Sequence, residues 1–256
     1  MLASSLAAIF RSCSELDAPI RVSGITGSSR AWAVLRYSRE FRRPLVVLCP
    51  DDDSCQELAD DLLALARIVP QEEPGGGSPE VVLLPHHEKS LYSAITPSLQ
   101  TRLQRAGALG RLDELRAAPG RSAQSVVFTT LAAASLRTIP PALLSELAFR
   151  LKAGESCGSR EALIARITEC GYLRADAAED PGTFFARGEI IDICMPDGAG
   201  ETSAIRIELF DDMVERIRPY DPASQRTLPS ELPGAFVAPC REVLVNRRTS
   251  AGLRDR

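Results

Sequence analysis

Pro44-Leu45-Val46-Val47-Leu48-Cys49-Pro50 is an unbroken apolar run closed by proline at both ends. It is short enough for a strand and too short for a helix. Its continuous apolarity predicts a strand buried on both faces, as in a parallel sheet. Asp51-Asp52-Asp53 follows at once, and Leu58, Leu62, Leu63, Leu65 and Ile68 then recur at helical spacing. Carboxylates in a first helical turn suit the helix dipole, so the run leads into a helix. Residues 81–84, stopped by Pro85, and residues 125–130 repeat the buried-strand signature. Upstream, residues 20–25 alternate in polarity as a strand would, and residues 28–41 return to a helical pattern. A long helix is expected from Thr96-Pro97 to Leu115, with Thr96 as cap and Pro97 in the first turn. Strands alternating with helices at these lengths imply βαβ units, an α/β fold with a mostly parallel sheet and helices on both faces.

The pattern changes after Pro140-Pro141. Short segments at 149–151, 189–194, 203–210 and 214–220 follow, with one helix over 159–170. Ile205-Arg206-Ile207-Glu208-Leu209 alternates cleanly, and Asp211-Asp212 before Val214 fits a hairpin turn. This is the signature of an antiparallel sheet with one buried face. The expected organisation is a first α/β domain over 1–145, a smaller α+β domain with an antiparallel sheet over 146–232, and a return segment with a polar tail over 233–256.

Composition narrows the chemistry. The 256 residues carry a formal net charge of -4, which gives no global field for nucleic acid. Only Lys89 and Lys152 among the 30 cationic residues are lysines, which leaves few positions for a phosphate-loop lysine or a Schiff base. The seven cysteines form no CxxC pair, and the only histidines are the adjacent His86 and His87. That is a poor basis for a metal site or a disulfide framework, so reduced thiols and a cytoplasmic address are expected. Residues 2–16 read as a helix rather than a signal peptide, and no apolar run reaches the roughly 18 residues of a membrane span.

Gly24-Ile25-Thr26-Gly27-Ser28-Ser29-Arg30-Ala31 has the context of a phosphate-binding loop without its chemistry. The working pattern ends in Gly-Lys followed by a hydroxyl residue that ligates magnesium. Here Ser29, Arg30 and Ala31 occupy those positions; Ala31 has no oxygen, and the arginine is longer and planar. The loop reads as a structural relic that binds no nucleotide.

This loop resembles the motif of the repair helicase UvrB with its catalytic residues lost. The remainder resembles the amino-terminal UvrB-homology region of bacterial transcription-repair coupling factors (Mfd) over about residues 18–245. The carrying residues include Pro44-Leu45-Val46-Val47, Pro85 with Glu88 and Tyr92, and Val126-Val127-Phe128-Thr129-Thr130. The most specific are Gly171-Tyr172, Glu179-Asp180-Pro181-Gly182, the block from Phe185 to Ile193, the block from Ile205 to Asp212, Ile217-Arg218, and Asp221 with Ser224-Gln225-Arg226-Thr227. The resemblance implies a RecA-like first domain without ATPase chemistry and an inserted domain that binds the damage-recognition protein UvrA. It implies that the family's RNA polymerase-binding domain and DNA translocase lie in regions this sequence does not contain.

The family's UvrA contacts fall on Arg187, Arg206 and Phe210. Arg206 and Phe210 stand at i and i+4 on an alternating strand, with Glu208 between them, so all three share a face. Taken alone, Phe210 would more often be core and Arg187 an ordinary surface charge. The implied function is a non-catalytic adaptor that recruits UvrA to stalled RNA polymerase, with no cofactor, no metal and no membrane partner. The alternative is a UvrB-like, nucleotide-dependent DNA-binding enzyme. His86-His87-Glu88 reads as a polar loop, and Cys170 and Cys194 as small buried residues.

Overall fold

The computed structural model describes residues 22–69, 79–87, 97–118, 124–196 and 202–244. Its first elements are α1 (Ser29–Phe41), β1 (Leu45–Cys49), α2 (Asp52–Ile68), β2 (Glu80–Leu84), α3 (Leu99–Ala117), β3 (Ser125–Thr130) and α4 (Leu131–Ala134). There follow α5 (Pro141–Leu147), β4 (Phe149–Lys152), α6 (Arg160–Glu169), β5 (Leu173–Arg174), β6 (Thr183–Arg187) and β7 (Ile190–Pro196). The last are β8 (Thr202–Phe210), β9 (Met213–Asp221), β10 (Arg226–Thr227) and β11 (Gly234–Val237). The protein is mixed α/β, with one parallel sheet and two further sheets that are antiparallel apart from one short pair. It divides into two compact units: Met1–His86 with Leu115–Ser135, and His87–Glu114 with Leu136–Arg256.

In the first unit, β1, β3 and β2 pair in that order, all parallel, with Val46 and Val82 both opposite Val127. Helix α2 begins where the Asp51 carboxylate accepts from the Ser54 amide at 2.7 Å. Hydrogen bonds from Ser54 hold that carboxyl below its ordinary value. The apolar side of α2 (Cys55, Leu58, Ala59, Leu62) joins Ala31 and Leu35 of α1 over Val81, Leu83, Val126 and Phe128.

Three expectations need correction. Strand β1 is not buried on both faces: Val46 and Leu48 are 60% and 57% exposed, because the cover that buries Val127 of β3 and Val82 of β2 in the same row does not extend over β1. Residues 22–25 are not a strand; Gly24 turns the chain at φ +82°, a conformation glycine alone adopts easily. Helix α3 starts at Leu99 rather than at Thr96-Pro97, capped by the Ser98 hydroxyl, which accepts from the Thr101 amide at 3.0 Å. The serine oxygen satisfies one of the first-turn amides that have no partner within the helix. The helix expected over 2–16 and the polar tail from 246 lie outside the described residues.

In the second unit six strands run β10-β9-β8-β7-β6-β5, antiparallel except for β5 beside β6. The alternation read from residues 205–209 sets the faces. Ile205, Ile207 and Leu209 point inward with Ile191, Ile193, Phe184 and Ile217, against Leu163 and Ile167 of α6. Strand β4 pairs with β11 and adds Phe149, Leu151 and Val237 to the same core. Cys170 and Cys194 are fully buried, as their sequence context indicated.

Candidate functional site

The face of the six-stranded sheet turned away from this core holds the candidate site. Two hairpins build it. Arg187 pairs with Ile190 across a two-residue turn at Gly188-Glu189, where Gly188 takes φ +55°, the positive value a primed turn requires. Phe210 pairs with Met213 across Asp211-Asp212, the turn anticipated from the sequence; Asp211 takes φ +58°, which aspartate tolerates. Because Ile190 stands opposite Glu208, both turns fall at the same end of the sheet.

Cross-strand partners share a face. The register therefore aligns Arg187, Ile190, Glu208 and Arg216 in one row, and Phe185, Asp192, Arg206 and Arg218 in the next. Phe210 and Met213 lie just beyond the first row. The structure thus brings Arg187, Arg206 and Phe210 onto one surface, but it gives them different surroundings.

Phe210 is 69% exposed, with Ile190 and Met213 also exposed. Arg187 is exposed, and its side chain has no hydrogen-bond or ion-pair partner among the described residues. Arg206 is largely covered. Its Nε and Nη2 donate to the two carboxylate oxygens of Asp192, each at 2.8 Å, and Nη1 donates to the Thr227 hydroxyl at 2.9 Å. The Tyr220 ring lies 5.5 Å from the guanidinium carbon. The Asp192 carboxylate raises the arginine's pKa further from an already high value. A guanidinium has five N–H groups, so two remain for an outside acceptor. Glu208, between Arg206 and Phe210 as expected, accepts from Arg218.

The sequence reading assigns no site role to Asp192, Tyr220 or Thr227, although Asp192 and Thr227 lie in stretches that carry the resemblance. A signal was present for one of them: Asp192 interrupts the apolar run Ile190-Ile191-Asp192-Ile193, and a carboxylate in a buried strand must have a partner.

The Gly24–Ala31 loop is organised differently. The Ser29 amide donates to the Thr26 carbonyl at 3.3 Å and the Arg30 amide to the Gly27 carbonyl at 3.1 Å. The Ser29 hydroxyl both accepts from the Thr26 amide and donates to the Thr26 carbonyl. Arg30 folds back, with Nε 3.5 Å from the Gly27 carbonyl. Ala31 is fully buried in the core beneath α2. His86 donates its backbone amide to the Asp52 carboxylate, a loop contact. Among the described residues no cluster of His, Cys, Asp and Glu has the arrangement of a metal site, and no helix is long and apolar enough to cross a membrane.

The outer face of this antiparallel unit thus carries an exposed arginine and an exposed phenylalanine at one end of the sheet. Residues 149–242, which contain this sheet, match the family described as the UvrB interaction domain. The chain is 30% identical over 233 residues to the transcription-repair-coupling factor of Myxococcus xanthus, covering 90% of this chain and 18% of that protein. It is 25% identical over 231 residues to the transcription-repair-coupling factor of Bacillus subtilis (strain 168), with the same coverage. It is 26% identical over 204 residues to UvrABC system protein B of Pasteurella multocida (strain Pm70), covering 78% of this chain and 28% of that one. The chain thus spans less than a third of the length of each of these relatives. Together the matches support a UvrB-homology region of the transcription-repair-coupling-factor type, related to nucleotide excision repair.

Proposed function

We propose that this chain is a non-catalytic adaptor that docks the repair protein UvrA on the outer face of its six-stranded sheet. The observation that carries this reading is the convergence of Arg187, Arg206 and Phe210 at one sheet end inside the UvrB interaction domain. An exposed aromatic beside arginines is the usual make-up of an interface hot spot. Arg206 is already held by Asp192 and Thr227, so it would lose little freedom on binding. Phe210 and Arg187, both exposed, supply apolar area and an unpaired cation.

The first unit is proposed to be a RecA-like scaffold of the UvrB type that has lost nucleotide chemistry. The Thr26, Ser29 and Arg30 amides are engaged within the loop, and the residue in the metal-ligating position is a buried alanine. In a longer protein of this kind, RNA polymerase and DNA would be engaged by other regions, and the setting would be cytoplasmic.

The test is calorimetric titration of the 256-residue chain with purified UvrA. Wild type binds, and Phe210→Ala weakens binding about tenfold or more, since truncating a hot spot costs about 2 kcal/mol. Equal affinity in the two proteins would remove the site assignment.

A further inference from the structure

Arg187 stands at the end of β6, and that end is paired on one side only. Strand β5 accompanies β6 through Leu173 opposite Thr183 and Arg174 opposite Phe184, and then stops. From Phe185 onward the described strand partner is β7 alone. The next carbonyls, of Ala186 on the open edge and of Gly188 in the turn beyond it, are instead taken by side chains. Arg174 donates through Nη2 to the Ala186 carbonyl at 3.2 Å, and Arg160 donates through Nε to the Gly188 carbonyl at 2.5 Å. The two guanidinium groups therefore substitute for a missing strand and bracket Arg187 from both sides.

We propose that Arg160 and Arg174 are positioning residues that fix the Arg187 turn for docking, a role that rests on the reading of this face as the UvrA dock. Arg160 is well placed for this. It opens α6, whose start is fixed by the Ser159 hydroxyl accepting from the Ala162 amide. The segment leading into it is tied to the other hairpin. The Cys157 amide donates to the Asp212 carbonyl at 2.8 Å, the Ser156 hydroxyl donates to the Asp212 carboxylate at 3.0 Å, and Ser156 bridges to Met213. One short strap, residues 154–160, thus touches both turns and sets the spacing between Arg187 and Phe210. Without it the Arg187 turn would hang from β7 alone, and ordering it would be charged to the binding step.

The experiment measures UvrA affinity of the full chain for wild type, Phe210→Ala, Arg187→Ala, Arg160→Ala and Arg174→Ala, and for the latter two in an Arg187→Ala background. Arg160→Ala and Arg174→Ala each weaken binding about fivefold alone and add nothing once Arg187 is gone, since coupled residues are non-additive. Amide exchange at Glu189 and Ile190 speeds up in Arg160→Ala, and Arg160→Lys, which keeps a donor for the carbonyl, recovers part of both effects. Full additivity with Arg187→Ala would make the two arginines independent contacts and overturn the positioning role. Unchanged affinity in both single variants, beside a loss in Phe210→Ala, overturns it too and leaves the dock standing. A wild-type chain that does not bind UvrA overturns both.

Discussion

The guanidinium of Arg206 grips both carboxylate oxygens of Asp192 at 2.8 Å, and Asp192 is only 1% exposed. A fork-on-fork pair of this kind fixes orientation as well as charge. It also changes what substituting Arg206 would report. A purely superficial contact at this position would lose UvrA binding on substitution and leave the fold intact. In the structure that substitution strands a buried carboxylate. Removing one partner of a buried pair costs about 3–5 kcal/mol. Arg206→Ala is therefore expected to lower the urea midpoint markedly, while the double variant Asp192→Leu with Arg206→Met recovers most of it. Equal midpoints for wild type and Arg206→Ala would show that the pair carries no net stability.

Phe210 is the cleaner probe of docking. With 69% of its surface exposed, its ring contributes little to the core. Phe210→Ala is expected to change unfolding stability by less than about 0.5 kcal/mol, the usual range for surface substitutions. Its whole effect then falls on partner binding. A drop in melting temperature comparable to that of Arg206→Ala would contradict this and place the ring in the core.

The sequence and the structure agree where local pattern decides. The alternation of Ile205, Ile207 and Leu209 follows from a sheet with one buried face, and the three residues share the inner core. Aspartate at 211 accepts the positive φ of a tight turn, so the hairpin was legible too. What local pattern cannot carry is register. Asp192 and Arg206 are neighbours only because β7 and β8 pair as they do, and Arg160 reaches Gly188 across 28 positions. The run from Leu45 to Cys49 misled for a related reason: apolarity records which residues tolerate burial, while the cover over Val82 and Val127 stops short of Val46 and Leu48.

The buried thiols make the fold sensitive to alkali. Burial pushes Cys55, Cys170, Cys194 and Cys240 up to about 12, and burial also raises Tyr172. In the unfolded chain these thiols titrate near their ordinary value of about 8.5. The unfolded state therefore holds fewer protons than the folded state above that pH, and stability falls as pH rises. The contribution is complete below about pH 8.5 and is lost progressively toward pH 12. Melting temperature should decline from about pH 9 upward. Below that point these groups impose no slope. At pH 8 iodoacetamide should label Cys157, the half-buried one, ahead of the other described cysteines. Rapid labelling of Cys170 or Cys240 in the folded protein would contradict their burial.

The loop at Gly24–Ala31 gives the last prediction. A working phosphate loop needs free amides, a lysine and a hydroxyl for the metal. Here the Ser29 and Arg30 amides donate to carbonyls of their own turn, and the Ser29 hydroxyl is committed to Thr26. Restoring lysine alone would not repair this, because Ala31 is buried and offers no oxygen. Titration of wild type with ATP and magnesium is expected to stay flat to about 1 mM, corresponding to less than about 4 kcal/mol of binding. Arg30→Lys should be equally flat, and so should the pair Arg30→Lys with Ala31→Ser, since the amides remain engaged within the turn. Saturable binding by the single variant would mean that the turn opens readily and that only the lysine was missing. Saturation by the wild type would reinstate the nucleotide-dependent reading of the first unit.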